Sequence, residues 1–220
     1  MENNKDRLNH QKSIIIKTDR DPTNDICFDN KSKYCEITEK MNSQNSQTTL
    51  KMFTDDPDLW DVYHEERKLN CKKYYKQEVV PVNKIISYLE TKLKYKLRIL
   101  DMGCGMNLIK EHFKYNTIFN ITGYDYVENN RSKVCDISKL DEESELIDIC
   151  IYSQSLMGSN WKDYLVEGKR VLRYNGEMII SESVERFDVV KEYLVQLEMK
   201  IINAEHNETK RWFYINAIKQ

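Results

Sequence analysis

What this 220-residue chain lacks narrows its chemistry before any motif is considered. Its six cysteines stand at 27, 35, 71, 104, 135 and 150, with no C-x-x-C and no paired-histidine spacing. No zinc or other metal site is therefore expected. Three of the thiols lie inside or beside apolar runs, and the set reads as reduced core residues of an intracellular protein. Lys and Arg number 34 against 36 Asp and Glu, a formal net charge of -2. That balance excludes a global basic field, so any nucleic-acid contact must come from a local patch. No apolar run approaches the length of a membrane span or a signal peptide, which predicts a soluble chain with no membrane partner. A Ser/His/Asp or paired-carboxylate constellation is not visible either.

The one glycine loop is also defined by what it omits. Ile99-Leu100-Asp101-Met102-Gly103-Cys104-Gly105 reads as a short buried strand that ends in an acid and runs into two glycines. A phosphate-binding loop presents three glycines or a Gly-Lys-Ser/Thr, and this loop has neither. Two glycines without a lysine suit a cofactor that the backbone approaches closely but that carries no phosphate, as S-adenosylmethionine does. Gly103 and Gly105 would turn the chain against its methionine part, and Asp101 would accept hydrogen bonds from the loop or the ammonium group. Taken alone, D-x-G-x-G is also a generic strand-to-helix turn. Two further strand-end acids add weight. Ile121-Thr122-Gly123-Tyr124-Asp125 closes on an acid roughly 20 residues after the glycines, where dinucleotide folds bind ribose hydroxyls. Lys133-Val134-Cys135-Asp136 closes on another, placed to take an adenine amino group while Ile137 packs on the ring. A lone strand-end aspartate is usually a helix cap, but three in succession point to a nucleoside-type cofactor.

Organisation along the chain follows from texture. Residues 1–50 are rich in Asn, Asp, Lys, Ser, Thr and Gln, and their apolar patches, Ile14-Ile15-Ile16 and Ile26-Cys27-Phe28, hold no sustained period, which predicts a disordered polar tail. A helical segment over 51–96 is expected to cap the site. Thr54-Asp55-Asp56-Pro57 reads as a helix start, with Thr54 or Asp55 as cap, followed by Leu59, Trp60 and Tyr63 at helical spacing. A second helix is expected over 82–93. Beyond it, strands near 97–102, 121–125, 132–136, 146–153, 177–183, 200–205 and 211–218 alternate with helices near 107–114, 161–172 and 187–198. A short turn at Asn207–Lys210 should pair the last two strands as a hairpin. Residues 97–220 thus predict an α/β Rossmann-like domain of the class I methyltransferase kind: a seven-stranded, mostly parallel sheet with a C-terminal antiparallel hairpin.

A more specific likeness lies at the end of the fourth strand. Ser153-Gln154-Ser155-Leu156-Met157-Gly158-Ser159-Asn160-Trp161 is followed by Tyr164-Leu165, Arg170-Val171-Leu172 and Asn175-Gly176-Glu177. This run resembles the ribosomal RNA-processing protein 8 family, also called nucleomethylin in animals. Glu182 to Val189, Tyr63-His64 and Val80-Pro81-Val82 match further landmarks, and the likeness runs from about Phe53 to the C-terminus. It implies S-adenosylmethionine-dependent methylation of adenine N1 in large-subunit ribosomal RNA, with ribosomal RNA or the pre-ribosome as partner, in the nucleus and nucleolus. Matched residue by residue, it implies cofactor contacts at His64, Gly103, Asp125, Asp136, Ile137 and Ser153. The chain departs from the family where Glu66-Arg67 replace a Gly-Phe, Tyr74-Tyr75 a Trp-Pro, and Met106 a frequently acidic position.

Methyl transfer to an adenine N1 lone pair needs no prior deprotonation, so catalysis there is mostly positioning. That accounts for the missing acid–base constellation. Ser155, Leu156, Met157, Gly158 and Asn160 lie where an acceptor base should meet the methyl group, although Leu156 and Met157 also read as core residues ending a strand. His64, beside a tyrosine on a helix, reads without the resemblance as a capped or surface histidine rather than a ligand. The runs Arg67-Lys68, Lys72-Lys73-Tyr74-Tyr75-Lys76 and Lys92 to Arg98 interleave cations and aromatics that would grip phosphates and stack bases, or form an ordinary solvated face. Two other functions fit the same residues: methylation of a small molecule or protein, and a cofactor-sensing module without turnover.

Overall fold

The structure, a computed structural model, describes residues 32–74, 80–129, 131–206 and 211–220. The polar segment 1–31, Cys27, Tyr75-Lys76 and the turn at Asn207–Lys210 lie outside the described residues. Seven strands form one sheet: β1 (Leu97–Met102), β2 (Phe119–Asp125), β3 (Lys133–Val134), β4 (Ile147–Ser153), β5 (Leu172–Ser181), β6 (Met199–Glu205) and β7 (Tyr214–Lys219). Their order is β3-β2-β1-β4-β5-β7-β6. β1 pairs in parallel with β2 and β4, β2 with β3, and β4 with β5. β7 runs antiparallel between β5 and β6, which is the expected C-terminal hairpin on a mostly parallel sheet.

Sheet residues alternate between two cores, as the pleat requires. Along β4, Ile149 and Ile151 face α4 (Pro81–Glu90) and α5 (Leu108–His112), among Ile85, Leu89, Ile109 and Phe113. Cys150 and Tyr152 face α6 (Trp161–Val171) and α7 (Phe187–Gln196), among Tyr164, Leu165, Val190 and Leu194. Because both faces are covered, the parallel strands read as continuous apolar runs. β5 starts five residues earlier than its pattern predicts. Asn175-Gly176, which reads as a turn, is instead absorbed as an irregularity in the β4–β5 register, with Asn175 at φ +60°. β3 is shorter than predicted, a two-residue edge strand.

The N-terminal part departs most from expectation. Residues 33–50, predicted to be disordered, are helical: α1 (Lys33–Ser43) and α2 (Ser46–Asp55) precede α3 (Asp58–Tyr74). Ser32 and Asn45 cap α1 and α2, each side-chain oxygen accepting the backbone N–H three residues on. Thr54 is therefore no N-cap; it sits in the last turn of α2 and donates to the Leu50 carbonyl at 2.8 Å. The reason for the misreading is composition. Tyr34, Ile37 and Met41 recur at helical spacing, but within a window otherwise polar throughout. Their stability comes from a third cluster in which they pack with Phe53, Trp60 and Tyr63, as helices of this length need tertiary contacts. Among the described cysteines, Cys71, Cys104, Cys135 and Cys150 are free thiols. Cys35 is disulfide-bonded, which corrects the expectation of thiols throughout.

Candidate active site

The strand order reverses between β1 and β4, and the crevice beyond the carboxyl ends of such strands is where open α/β sheets bind ligands. There a cavity of about 680 Å³ is lined by Asp101 near the end of β1, by Gly103, Cys104, Gly105 and Met106 from the loop after it, by Ser153 and Gln154 at the end of β4, and by α3 and the start of α4. A smaller cavity abuts it, walled by Asp125, Tyr126, Ile137, Ser155 and Met157. His64, Arg67, Gly103 and Gln154 border both.

Asp101 lies in the buried part of β1, one residue before its end, and is 2% exposed, and its Oδ1 finds no hydrogen-bond partner. Burial first, and the neighbouring Asp125 second, push its carboxyl up to about 7. The loop beyond folds back so that the Gly103 and Cys104 N–H groups both donate to the Tyr124 carbonyl at 2.9 Å. Gly103 and Gly105 sit at φ +73° and +53°. A Cβ on Gly103 would lie 2.6 Å from Ser155 Cβ, and one on Gly105 2.7 Å from His64 Cε1. The glycines thus make room for two protein side chains.

Asp125, at the end of β2, is buried and fully engaged. Its Oδ1 accepts from Trp60 Nε1 at 2.8 Å and from the Tyr126 N–H at 2.8 Å, and its Oδ2 from the Gly105 N–H at 2.7 Å. Burial raises its pKa, opposed by these donors and by the Arg67 charge. Asp136 lines neither cavity. Its Oδ2 accepts from Ser46 Oγ at 2.7 Å and its Oδ1 from the Ser138 N–H at 2.9 Å. Ile137 is buried in the wall of the smaller cavity, and Ser153 stands at the larger one. His64 stacks obliquely on Trp60, with ring centroids 4.0 Å apart, and edge-on to Tyr63. Burial, then the Arg67 charge, lowers its pKa to about 3, so its imidazole is neutral at pH 7.

Of the five acceptor-loop residues, Ser155 and Met157 line a cavity, whereas Leu156, Gly158 and Asn160 line neither. Ser155 Oγ is buried without a partner. Leu156 is 1% exposed and belongs to the core over α6, which corrects its reading as a substrate contact. Gly158, at φ +102°, makes room for Tyr164 Oη and the Gln44 carbonyl. Asn160 turns to α2: its Oδ1 accepts the Ser46 N–H and its Nδ2 donates to Ser46 Oγ, both at 2.9 Å. The basic runs divide similarly. Arg67, Lys68 and Lys72 line the larger cavity, and Arg67 donates to Gln154 Oε1 at 2.5 Å. Lys92 pairs with Glu177 and Arg98 with Glu142, so both serve the surface of the fold.

Sequence reasoning missed Trp60, Gln154 and Ser46. Trp60 had a signal, standing one helical turn before His64 and so on the same face. Gln154 had none, because its aim into the crevice follows from a backbone at φ +55°. Among the described residues, no three His, Cys, Asp or Glu are grouped to hold a metal ion, and no helix is long and apolar enough to cross a membrane.

Sheet order, switch-point crevice and glycine turn together define a Rossmann-like domain of the methyltransferase kind. The chain belongs to the family described as hypothetical methyltransferase, whose model matches residues 29–219. It is 33% identical over 153 residues to the ribosomal RNA-processing protein 8 of Arabidopsis thaliana, an overlap of 69% of this chain and 50% of that one. It is 30% identical over 159 residues to the 25S rRNA (adenine(645)-N(1))-methyltransferase of Schizosaccharomyces pombe, over 69% of this chain and 49% of that one. The chain therefore spans about half the length of these curated relatives. In fold it is similar to a 1,6-didemethyltoxoflavin-N1-methyltransferase of Burkholderia thailandensis, solved with S-adenosylhomocysteine. That likeness has a TM-score of 0.58 at 17% identity and covers 74% of this chain and 86% of that one.

Proposed function

We propose that this chain is an S-adenosylmethionine-dependent methyltransferase acting on adenine N1 of large-subunit ribosomal RNA, working in the nucleolus. One observation carries the reading: a glycine turn, a buried unpartnered carboxylate and a strand-end acid converge on one crevice at the switch point. The name of the Schizosaccharomyces pombe relative supports the acceptor.

The residues fit that cofactor. Asp101 Oδ1 and Ser155 Oγ are buried polar atoms without protein partners, a costly arrangement unless a ligand supplies the missing bonds. Gly103 and Gly105 would lie along the methionine part, with Asp101 accepting from its ammonium group. Asp125 would take the ribose hydroxyls, and Asp136 the adenine amino group beside Ile137, while His64 and Ser153 complete the enclosure. Asp125 and Asp136 already accept from Trp60 and Ser46, so the nucleoside's own donors would share or replace those bonds.

When bound, S-adenosylmethionine supplies a methyl group on a cationic sulfur. The remaining work of the chain is to bind and orient. Adenine N1 presents a lone pair without losing a proton, so the transfer calls for no general base. The base gains positive charge as it is methylated, and acceptor oxygens at the end of β4 would favour that charge. Arg67, Lys68 and Lys72 would hold RNA phosphates, so binding should weaken steeply with salt. An N1 edge engaged in pairing must first be exposed by flipping or local opening.

The test is incubation of the protein with labelled S-adenosylmethionine and total ribosomal RNA, followed by nucleoside mass spectrometry. The expected product is 1-methyladenosine in large-subunit RNA. Label appearing only in protein or small molecules assigns another acceptor. Tight cofactor binding without transfer to anything makes the chain a sensing module, and no calorimetric heat with S-adenosylmethionine or S-adenosylhomocysteine refutes the whole reading.

A further inference from the structure

A buried charge pair stands behind the acceptor loop, away from both cavities. Glu182 precedes the short 3-10 turn Val184–Arg186 after β5 and Arg186 closes it; the two are only 5% and 8% exposed. Burying two charges costs free energy that well-packed apolar residues would not, and their nearest approach is 4.0 Å, looser than a tight pair. Both instead reach the backbone of the same residue, Leu156. Glu182 Oε1 accepts the Leu156 N–H at 2.8 Å, and Arg186 Nη1 donates to the Leu156 carbonyl. The guanidinium also lies 5.0 Å over the ring of Trp161, the first residue of α6.

The grip falls where the backbone needs holding. Gln154 adopts φ +55° and Gly158 φ +102° on either side of Leu156. A non-glycine residue in the left-handed region is disfavoured and persists only where its surroundings over-determine it. Leu156 supplies that determination twice, through its side chain in the core and through its two backbone groups in the clamp. Its immediate neighbours, Ser155 and Met157, then face the smaller cavity, and Gln154 borders both.

We propose that Glu182 and Arg186 are positioning residues for methyl transfer: by clamping the Leu156 backbone from both sides they hold residues 153–160 so that Gln154 and Ser155 present themselves to the acceptor. The inference rests on the methyltransferase reading above, and its test separates the two. In the full chain, Glu182→Ala and Arg186→Met remove the clamp. Glu182→Gln keeps an acceptor oxygen, and Arg186→Lys keeps a donor. Amide hydrogen exchange by mass spectrometry reads the loop directly, calorimetry with S-adenosylhomocysteine reads the cofactor site, and kcat and KM on ribosomal RNA read the reaction.

Loss of one charge-assisted bond should raise exchange in 153–160 by roughly tenfold or more while β1 and β7 stay protected. Methyl transfer should lose roughly tenfold in kcat with KM little changed, the pattern of an interaction realised in the transition state. S-adenosylhomocysteine still binds, and the Gln and Lys variants recover most of both losses. Unchanged loop exchange in Glu182→Ala overturns the clamp, and a loosened loop with unaltered kcat overturns its role in positioning. Should the Ala and Met variants fail to fold, the Gln and Lys variants decide: graded changes in exchange and kcat support the proposal, and wild-type values for both overturn it. If the wild-type chain transfers no methyl group, the methyltransferase reading fails, and the clamp is judged by loop exchange alone.

Discussion

Asp101 and His64 should pull the stability of this protein in opposite directions as pH changes. Asp101 is buried beside Asp125 and holds its proton up to about pH 7 in the folded chain; once unfolded it titrates near the ordinary 3.8 of a free aspartate. Between those limits the folded state binds more protons than the unfolded one, so Asp101 makes stability fall as pH rises. His64 is the reverse case. Burial and Arg67 depress it from 6.5 to about 3, so the folded state binds fewer protons and stability rises with pH across that window. Each slope is at most about 1.4 kcal/mol per pH unit. From pH 4.5 to 6.5 the two contributions largely cancel in the wild type. Asp101→Asn should uncover the other slope, gaining roughly 2–3 kcal/mol relative to wild type over those two units. With a urea m-value of about 2 kcal/mol per molar, the midpoint difference between variant and wild type should move by about 1–1.5 M. His64→Gln should show a shift of opposite sign. Urea titrations at pH 4.5, 5.5 and 6.5 measure both. Midpoints of Asp101→Asn that run parallel to wild type would refute a proton held by Asp101 in the folded state.

Trp60→Phe keeps the aromatic packing but removes the donor to Asp125, and should cost about 2 kcal/mol at neutral pH, the scale for a bond to a buried charge; urea denaturation reads it, and a cost within 0.5 kcal/mol, a level roughly that of ordinary surface changes, counts against the bond. Ser46→Ala removes the hydroxyl shared by Asp136 and Asn160, and should loosen α1 and α2 by about 1–2 kcal/mol. Limited proteolysis near residue 45 should quicken while the sheet stays intact. Gly105→Ala places a Cβ against His64 at φ +53°, and should weaken S-adenosylhomocysteine binding at least tenfold, on the order of 1.4 kcal/mol, if the loop cradles the methionine part; calorimetry decides. Lys72→Ala should flatten the salt dependence of RNA binding by about one unit of log–log slope, with an unchanged slope placing the RNA elsewhere.

How far the sequence anticipated this molecule depended on whether a feature was periodic. Buried parallel strands announce themselves as apolar runs, and β1 falls where its residues 97–102 predict it. The strand-end acids were legible for the same reason, since Asp101 and Asp125 close such runs. The N-terminal helices were not, because α1 buries its few apolar residues against other helices rather than against the sheet, leaving a segment whose composition matches a tail. The acceptor loop was legible only by resemblance, and its geometry was not legible at all. That Leu156 turns inward while Ser155 and Met157 turn toward the crevice depends on positive φ at Gln154 and on the buried pair behind it.

The three-acid reading of the nucleoside site therefore needs a sharper test than removing an acid. Asp125→Ala deletes a ribose acceptor, but it also strands the Trp60 indole N–H and the Gly105 and Tyr126 N–H groups that converge on the carboxylate. Loss of cofactor affinity in that variant would report a displaced glycine turn as readily as a missing ribose contact. Trp60→Phe separates the two, because it leaves Asp125 with both backbone donors and frees one acceptor site on Oδ1. If Asp125 binds ribose, that vacancy favours the ligand's hydroxyl, and affinity for S-adenosylhomocysteine should hold or rise while stability falls. If Asp125 serves only to tie α3 to the turn, affinity and stability should fall together. The sign of the affinity change, measured by calorimetry on protein shown to be folded, decides between a carboxylate that binds and one that braces.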